Sequence, residues 1–286
     1  MKTLLALRIR PAFLATLGLG VALTATSHAA ISLTALGGAV TETFTTQPPA
    51  TSWSTTAGLF GNNGANITNN ATADGLVGTP SAPSTSATPV TAALLSAQIT
   101  AAAVPGTITT ANQPRYHSTG TGFVSTTPTG TDGNLVMVTL TNNTGATVSS
   151  LSVNYVLGLA NSDLLIPEAE FAGHRIYWSL TGLQNSWNPI TNADPLSSTN
   201  NFNFGFRTAA AGGAANQTQN YTAIAPVASW ADGTNAYIVW LDDNAAAGTD
   251  GFYTLDNLAF TPVPEPTAGL LALGACGVFG FARRRK

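Results

Sequence analysis

Hydrophobic and polar positions alternate along much of this chain. In Val148–Leu157 (VSSLSVNYVL), Leu151, Val153, Tyr155 and Leu157 fall on one side of an extended strand and Ser150, Ser152 and Asn154 on the other. That period of two predicts a half-buried strand. Leu135–Thr141 (LVMVTLT), Arg175–Thr181 (RIYWSLT), Phe202–Arg207 (FNFGFR), Ala236–Leu241 (AYIVWL) and Phe252–Thr261 (FYTLDNLAFT) are short, rich in β-branched or aromatic residues, and separated by Gly, Asn, Asp and Pro. Trp240, in an alternating segment, is expected to point inward. Asn142-Asn143-Thr144-Gly145 tolerates positive φ, so LVMVTL and VSSLSVNYVL are expected to pair as a hairpin.

From Thr46 to Pro114 the strand signal thins into Thr/Ala/Pro/Asn-rich text, read as long loops or a flexible edge; Ala92–Ala103 offers a weak helix pattern. The architecture that fits is all-β, a β-sandwich or jelly roll. The expected organisation is residues 1–29 a signal peptide, 30–130 an irregular N-terminal part of the β body, 131–261 the sandwich core, and 262–286 a separate terminal segment.

The two ends break the pattern. Lys2, Arg8 and Arg10 precede an apolar run, Ala12 to Ala25, followed by Ser27-His28-Ala29, a small-x-small site that predicts cleavage between Ala29 and Ala30. The run is short for a retained spanning helix. At the other end, Val263-Pro264-Glu265-Pro266 leads into an apolar stretch from Thr267 to Ala282, closed by Arg283-Arg284-Arg285-Lys286. About 16 apolar residues ending in cations predict a single transmembrane helix with its charged end cytoplasmic and the body across the membrane. The prolines between Pro262 and Pro266 predict an extended, accessible strip, suited to a protease groove.

Charge sharpens this. Between Ala30 and Pro262 stand three arginines (Arg115, Arg175, Arg207) and twelve carboxylates, a net of −9, with no lysine. A nucleic-acid partner is excluded on that ground, because phosphate binding needs clustered cations. The single cysteine, Cys276, lies in the terminal apolar stretch, so the body has neither disulfide framework nor thiolate metal site, and its fold rests on burial.

The order of Pro-Glu-Pro, apolar helix and Arg-rich end, over about 25 residues, resembles the PEP-CTERM sorting signal, also called the ice-binding protein C-terminal domain. The resemblance implies that exosortase, an integral-membrane cysteine protease, recognises the segment through sorting residues Val263, Pro264, Glu265, Pro266 and Arg283, Arg284, Arg285 and cleaves near it. It also implies an exported protein held briefly at the inner membrane and then placed at the cell surface or in an exopolysaccharide-containing matrix. The body is loosely similar to the β-rich passengers of such tails, in a structural or adhesive role. Ice binding would need a flat, regular threonine array, and the threonines here are irregular.

Three constellations invite chemistry. Asp242, Asp243, Asn244, Asp250 and Asp256 group oxygen ligands around a glycine-containing turn and fit calcium, although Asp, Asn and Gly are also ordinary turn residues. Trp187 (NSWNP) and Trp230 (ASWADG) lie in polar, turn-rich text and are candidates to stack on sugar rings, against the alternative that they fill the core. Calcium-assisted, lectin-like carbohydrate binding is thus the second reading, with no cofactor required by the first. A secreted hydrolase is the third: Glu168, Glu170 and His174 look like a solvated loop, His117 is isolated, and neither a nucleophile elbow nor a phosphate-binding loop is present, so catalytic activity is not expected.

Overall fold

The computed structural model describes residues 30–56, 67, 69–84, 86, 88–103, 113–120, 122–128, 132–159, 174–190, 217–227, 229–243 and 253–264, with backbone alone at 159 and 217–221. The leader, the FNFGFR segment and the terminal apolar stretch lie outside these residues.

Among the described residues the chain forms two seven-stranded sheets and one short helix. In chain order the elements are β1 (Ile31–Leu33), β2 (Val40–Glu42), β3 (Trp53–Thr55), α1 (Asn70–Val77), β4 (Ala97–Gln98), β5 (Thr100–Ala101), β6 (Arg115–His117) and β7 (Phe123–Thr126). There follow β8 (Gly133–Asn142), β9 (Val148–Leu159), β10 (Arg175–Ser179), β11 (Asn188–Pro189), β12 (Gln217–Ala225), β13 (Asn235–Asp243) and β14 (Tyr253–Pro264). One sheet runs β11-β10-β13-β8-β3-β4 with β1 parallel to β8; the other runs β12-β9-β14-β7-β6-β5 with β2 on β14.

The expected hairpin does not form. β8 and β9 belong to different sheets, so Asn142–Gly145 carries the chain from one layer to the other. The turn chemistry is as anticipated, with Gly145 at φ 77, but each strand finds its partner elsewhere: β8 on β13, β9 on β12 and β14. Asn142 fixes the crossing. Its amide donates to the carbonyls of Ala146 (2.8 Å) and Trp230 (2.9 Å), while its oxygen accepts from the Thr144 hydroxyl (2.8 Å). Such bonds satisfy backbone groups that leave one ladder before joining the next.

The layers meet over an aromatic spine. Trp53 stacks on Trp240 at 5.7 Å, and both touch the opposite sheet, Trp53 through Phe260 (6.2 Å) and Trp240 through the edge of Tyr155 (6.2 Å). Phe44 closes on Trp53 edge-first at 5.0 Å. Each such pair contributes about 0.5–1.5 kcal/mol beyond the apolar area it buries. Trp240 and the Leu151/Val153/Tyr155/Leu157 face all point into this core, as their alternation predicts.

The first sheet is covered on its outer side too. Leu135, Met137, Tyr177, Val239 and Leu241 pack outward against Ala73 and Val77 of α1, with Ile67, Val90, Leu95 and Trp187. Two buried faces explain why β8 reads as a nearly continuous apolar run, whereas β14 alternates with one face toward solvent. The stretch read as loose loops therefore supplies both a strand, β3, and this cover. Within Ala92–Ala103 no helix forms: a turn at 92–95 leads into β4 and β5. The helix lies at α1, capped by the Asn69 side chain, which accepts from the Thr72 N–H at 2.9 Å, and ended by Gly78 at φ 83, where a Cβ would approach Asn185 Oδ1 to 2.7 Å.

Candidate functional site

The chain leaves the sandwich along β14, which places its last residues in the sheet. Pro262 lies opposite Leu151, Val263 opposite Ser150 and Pro264 opposite Val148, with an irregularity between Val263 and Pro264. The strip expected to be free is thus, from Pro262 to Pro264, the end of a paired strand. Proline is tolerated because the Pro262 carbonyl faces away from β9 and accepts from the Gly37 N–H at 2.8 Å, beyond the end of β2, where no ladder partner needs a donor. The Ser149 hydroxyl bonds the Pro264 carbonyl at 3.0 Å. Glu265, Pro266 and Arg283–Arg285 lie outside the described residues, and no helix among the described residues is long and apolar enough to cross a membrane.

The opposite end of the sandwich holds the charges. Arg175, at the start of β10 and almost fully buried, donates to both carboxylate oxygens of Asp74 from α1 at 2.9 and 3.0 Å, and the Tyr177 hydroxyl donates to the same carboxylate at 2.9 Å. Burial, with the Asp74 charge adding to it and Arg175 opposing, raises the Tyr177 hydroxyl well above its ordinary range. This bidentate pair was not read from the sequence; its one signal was a lone arginine opening an apolar strand, RIYWS.

Asp242 and Asp243 end β13 at the same pole, both buried, opposite Asn134 and Gly133 and beside buried Asp132. Asp256 belongs to the other sheet and accepts from the Asn257 N–H at 2.6 Å, while Asn244 and Asp250 lie outside the described residues. The described members of the proposed ligand set thus lie in two sheets, and no group of three His, Cys, Asp or Glu side chains among the described residues could hold a metal ion.

Neither predicted stacking residue offers a face. Trp187 and Trp230 are both 0 % exposed. Trp187 donates its indole N–H to the Val90 carbonyl (2.9 Å) in the outer cluster, and Trp230 donates to the Thr234 carbonyl (3.0 Å) in the core. Their polar neighbours are the turns that wrap these plugs, which misled the sequence reading: the backbone around each indole is polar, the ring is not.

His174, expected on a solvated loop, is fully buried with its Nε2 at 2.8 Å from the Thr126 hydroxyl; Glu168 and Glu170 lie outside the described residues. His117 Nε2 lies 2.9 Å from the Ser125 hydroxyl, and its ring stacks on Phe123 at 4.5 Å. Burial lowers His174 to about 3, and burial assisted by Arg115 lowers His117 to about 4, so both rings are neutral at neutral pH. A hydroxyl beside a neutral imidazole is two-thirds of an activated nucleophile. Here Ser125 is buried and His117 Nδ1 has no hydrogen-bond partner among the described residues, so the base lacks an orienting group.

One groove opens on the outer face of the first sheet, with a volume of about 310 Å³. Thr51, Ser54, Ser96, Thr139, Asn235 and Tyr237 line it with neutral polar groups, and Met137 and Leu95 add apolar surface. The Ser54 hydroxyl beneath it is buried without a hydrogen-bond partner among the described residues.

Comparison with known families bears on the end of β14. The model of the PEP-CTERM protein-sorting motif matches residues 262–286. The chain carries a PEP-CTERM protein-sorting motif. The motif opens at Pro262, so its first three residues are also the last three of the sandwich. No curated protein matches the chain. Among solved structures, a cleaved adhesin domain of Lys-gingipain from Porphyromonas gingivalis is similar at 12 % identity over 79 % of this chain and 98 % of that one, with a TM-score of 0.36. The carbohydrate-binding module TmCBM27, described for specific mannan recognition, is similar at 10 % identity over 78 % of this chain and 98 % of that one, with a TM-score of 0.32. At these TM-scores neither likeness bears on the activity of the PEP-CTERM-bearing chain.

Proposed function

We propose that the protein is an exported structural or adhesive component of the cell surface or extracellular matrix, sorted and cleaved by exosortase. The PEP-CTERM motif at residues 262–286 carries this reading. In it, residues 1–29 direct export and are removed before Ala30, the apolar stretch from Thr267 to Ala282 holds the body at the inner membrane, and cutting near Pro264-Glu265-Pro266 frees a jelly-roll-like sandwich. The body suits such a destination: it has no thiol to oxidise and draws its cohesion from burial. The test replaces Pro264, Glu265 and Pro266 with alanine in the producing cell. The full-tailed species should accumulate at the inner membrane, and unchanged release would sink the reading.

A second reading, binding of a neutral saccharide such as a matrix exopolysaccharide, has one observation in its favour: the groove at Tyr237 combines an aromatic side chain with uncharged hydrogen-bonding groups. It replaces the tryptophan face and does not need calcium. A glycan panel against wild type and Tyr237→Ala tests it; retention that Tyr237→Ala abolishes supports it, and no retention by the wild type removes it.

A further inference from the structure

Strand register places the chain's exit among particular neighbours. At the pole where β14 ends lie the start of β9 at Val148, the end of β8 at Asn142 opposite the start of β13, and the end of β12 at Ala225. The β1–β2 loop is tied there by the Gly37–Pro262 bond. In the described parts of the loops at this pole the one charged side chain is Asp232, and its carboxylate accepts from the Gly145 N–H at 2.8 Å. The other charged side chains among the described residues lie level with Leu258 or farther from the exit: Glu42 pairs with Leu258, Asp256 precedes it on β14, Arg115 lies level with Thr254 through Ser125, and Asp74, Asp132, Arg175, Asp242 and Asp243 gather at the far pole. From Asn235 to Asp243 the separation is roughly 25 Å at strand rise.

Exposed apolar side chains follow the reverse distribution. Leu36 (38 %) and Val263 (39 %) flank the Gly37–Pro262 bond. Ile224 stands opposite Ser152, which stands opposite Thr261 on β14, and Leu183 follows β10 beyond Ser179, which pairs with Tyr237 near the start of β13. These four are the large exposed hydrophobic residues among the described ones, and all belong to the exit half.

The tether is short. Two residues, Glu265 and Pro266, separate Pro264 from Thr267, where the apolar stretch begins, and the three residue steps reach at most about 10 Å. The polar layer on each side of the hydrocarbon is itself about 5–8 Å thick. We infer that, while the tail is inserted, the exit pole rests on the bilayer surface, with Leu36 and Val263 in the headgroup layer and the carboxylate-rich pole turned away. This deepens the proposed function and rests on its anchored intermediate. An apolar-studded face with Asp232 as its one carboxylate meets lipid with little charge to desolvate, and the far-pole acids stand about three screening lengths from anionic headgroups at a Debye length of about 8 Å.

The test uses the full chain in vesicles of phosphatidylethanolamine and phosphatidylglycerol. An environment-sensitive fluorophore is placed on Leu36→Cys, Thr147→Cys or, at the far pole, exposed Ala71→Cys, each in a Cys276→Ser background, and on Cys276 itself. Headgroup nitroxide lipid should quench the Leu36 and Thr147 probes several-fold more than the Ala71 probe, while a deep acyl-chain nitroxide quenches the Cys276 probe. Quenching at Leu36 and Thr147 no greater than at Ala71, with Cys276 quenched, overturns the inference and leaves the anchor standing. Probes shielded from aqueous iodide but not quenched by lipid also overturn it, in favour of a second copy or another protein on this face. An unquenched Cys276 defeats the anchored reading and the inference together.

Discussion

The two poles of this sandwich are made by different means. At the far pole, Arg175, Asp74 and Tyr177 lock into one charged cluster, with buried Asp132, Asp242 and Asp243 nearby. At the exit pole, Asn142, Thr144, Gly145 and Trp230 are joined by neutral groups, apart from Asp232. Charges taken out of water demand partners in fixed positions and penalise loss of one of them heavily. Neutral bonds at a solvent-facing turn cost less to rearrange and leave Asp232 as the one charge there. The difference teaches that the protein concentrates its electrostatics at the pole opposite the start of the sorting motif.

The sharpest way to break that contrast is at the far pole. Asp74→Ala takes both carboxylate bonds from a buried guanidinium and should lower stability by about 3–5 kcal/mol, read from urea unfolding of the body without its tail. Acid comes next. Because the folded pKa of His174 is about 3 and that of His117 about 4, against an ordinary 6.5, the unfolded imidazoles take up protons first as pH falls. Stability is therefore complete above about pH 6.5 and is lost as pH falls, at about 1.4 kcal/mol per pH unit for each histidine, down to about pH 4 for His117 and about pH 3 for His174. His174→Gln should remove one such increment from the slope; a stability profile that His174→Gln leaves unaltered contradicts the assignment.

Substitutions at the exit pole should weigh less. Asn142→Ala removes two donated bonds and two accepted from Thr144, and should cost about 1–3 kcal/mol in the same unfolding experiment. Gly145→Ala meets open space, so only its positive φ opposes it, about 1–2 kcal/mol by thermal or urea melts. If either change matched Asp74→Ala, the poles would not differ as described.

Much of the fold was legible because burial follows the period of two. β9, β10, β13 and β14 were all visible in their alternation or aromatic content, and the sorting motif was visible because proline, apolar and cationic blocks occur in order. What escaped was long-range. The residues of Asn142–Gly145 suit a hairpin and a sheet-to-sheet crossing alike, and only the pairing of β8 with β13 decides between them. α1 is eight residues with a glycine inside and one uncompensated acid, whose partner stands 101 positions later. Trp187 and Trp230 were misplaced because local polarity describes the backbone around a ring, not the cavity it fills. The groove at Tyr237 joins residues from four separate stretches and had no signature in any of them.

The account stands on a sorted, trimmed passenger, and the intact mass of the protein recovered from the cell surface and medium tests it most directly. With exosortase present the mass should correspond to a chain beginning at Ala30 and ending near the Pro264-Glu265-Pro266 strip; without it, the apolar and arginine-rich end should remain attached in the membrane fraction. A full-length chain of 286 residues, leader included, found in the cytosol and unchanged by loss of exosortase, would contradict it.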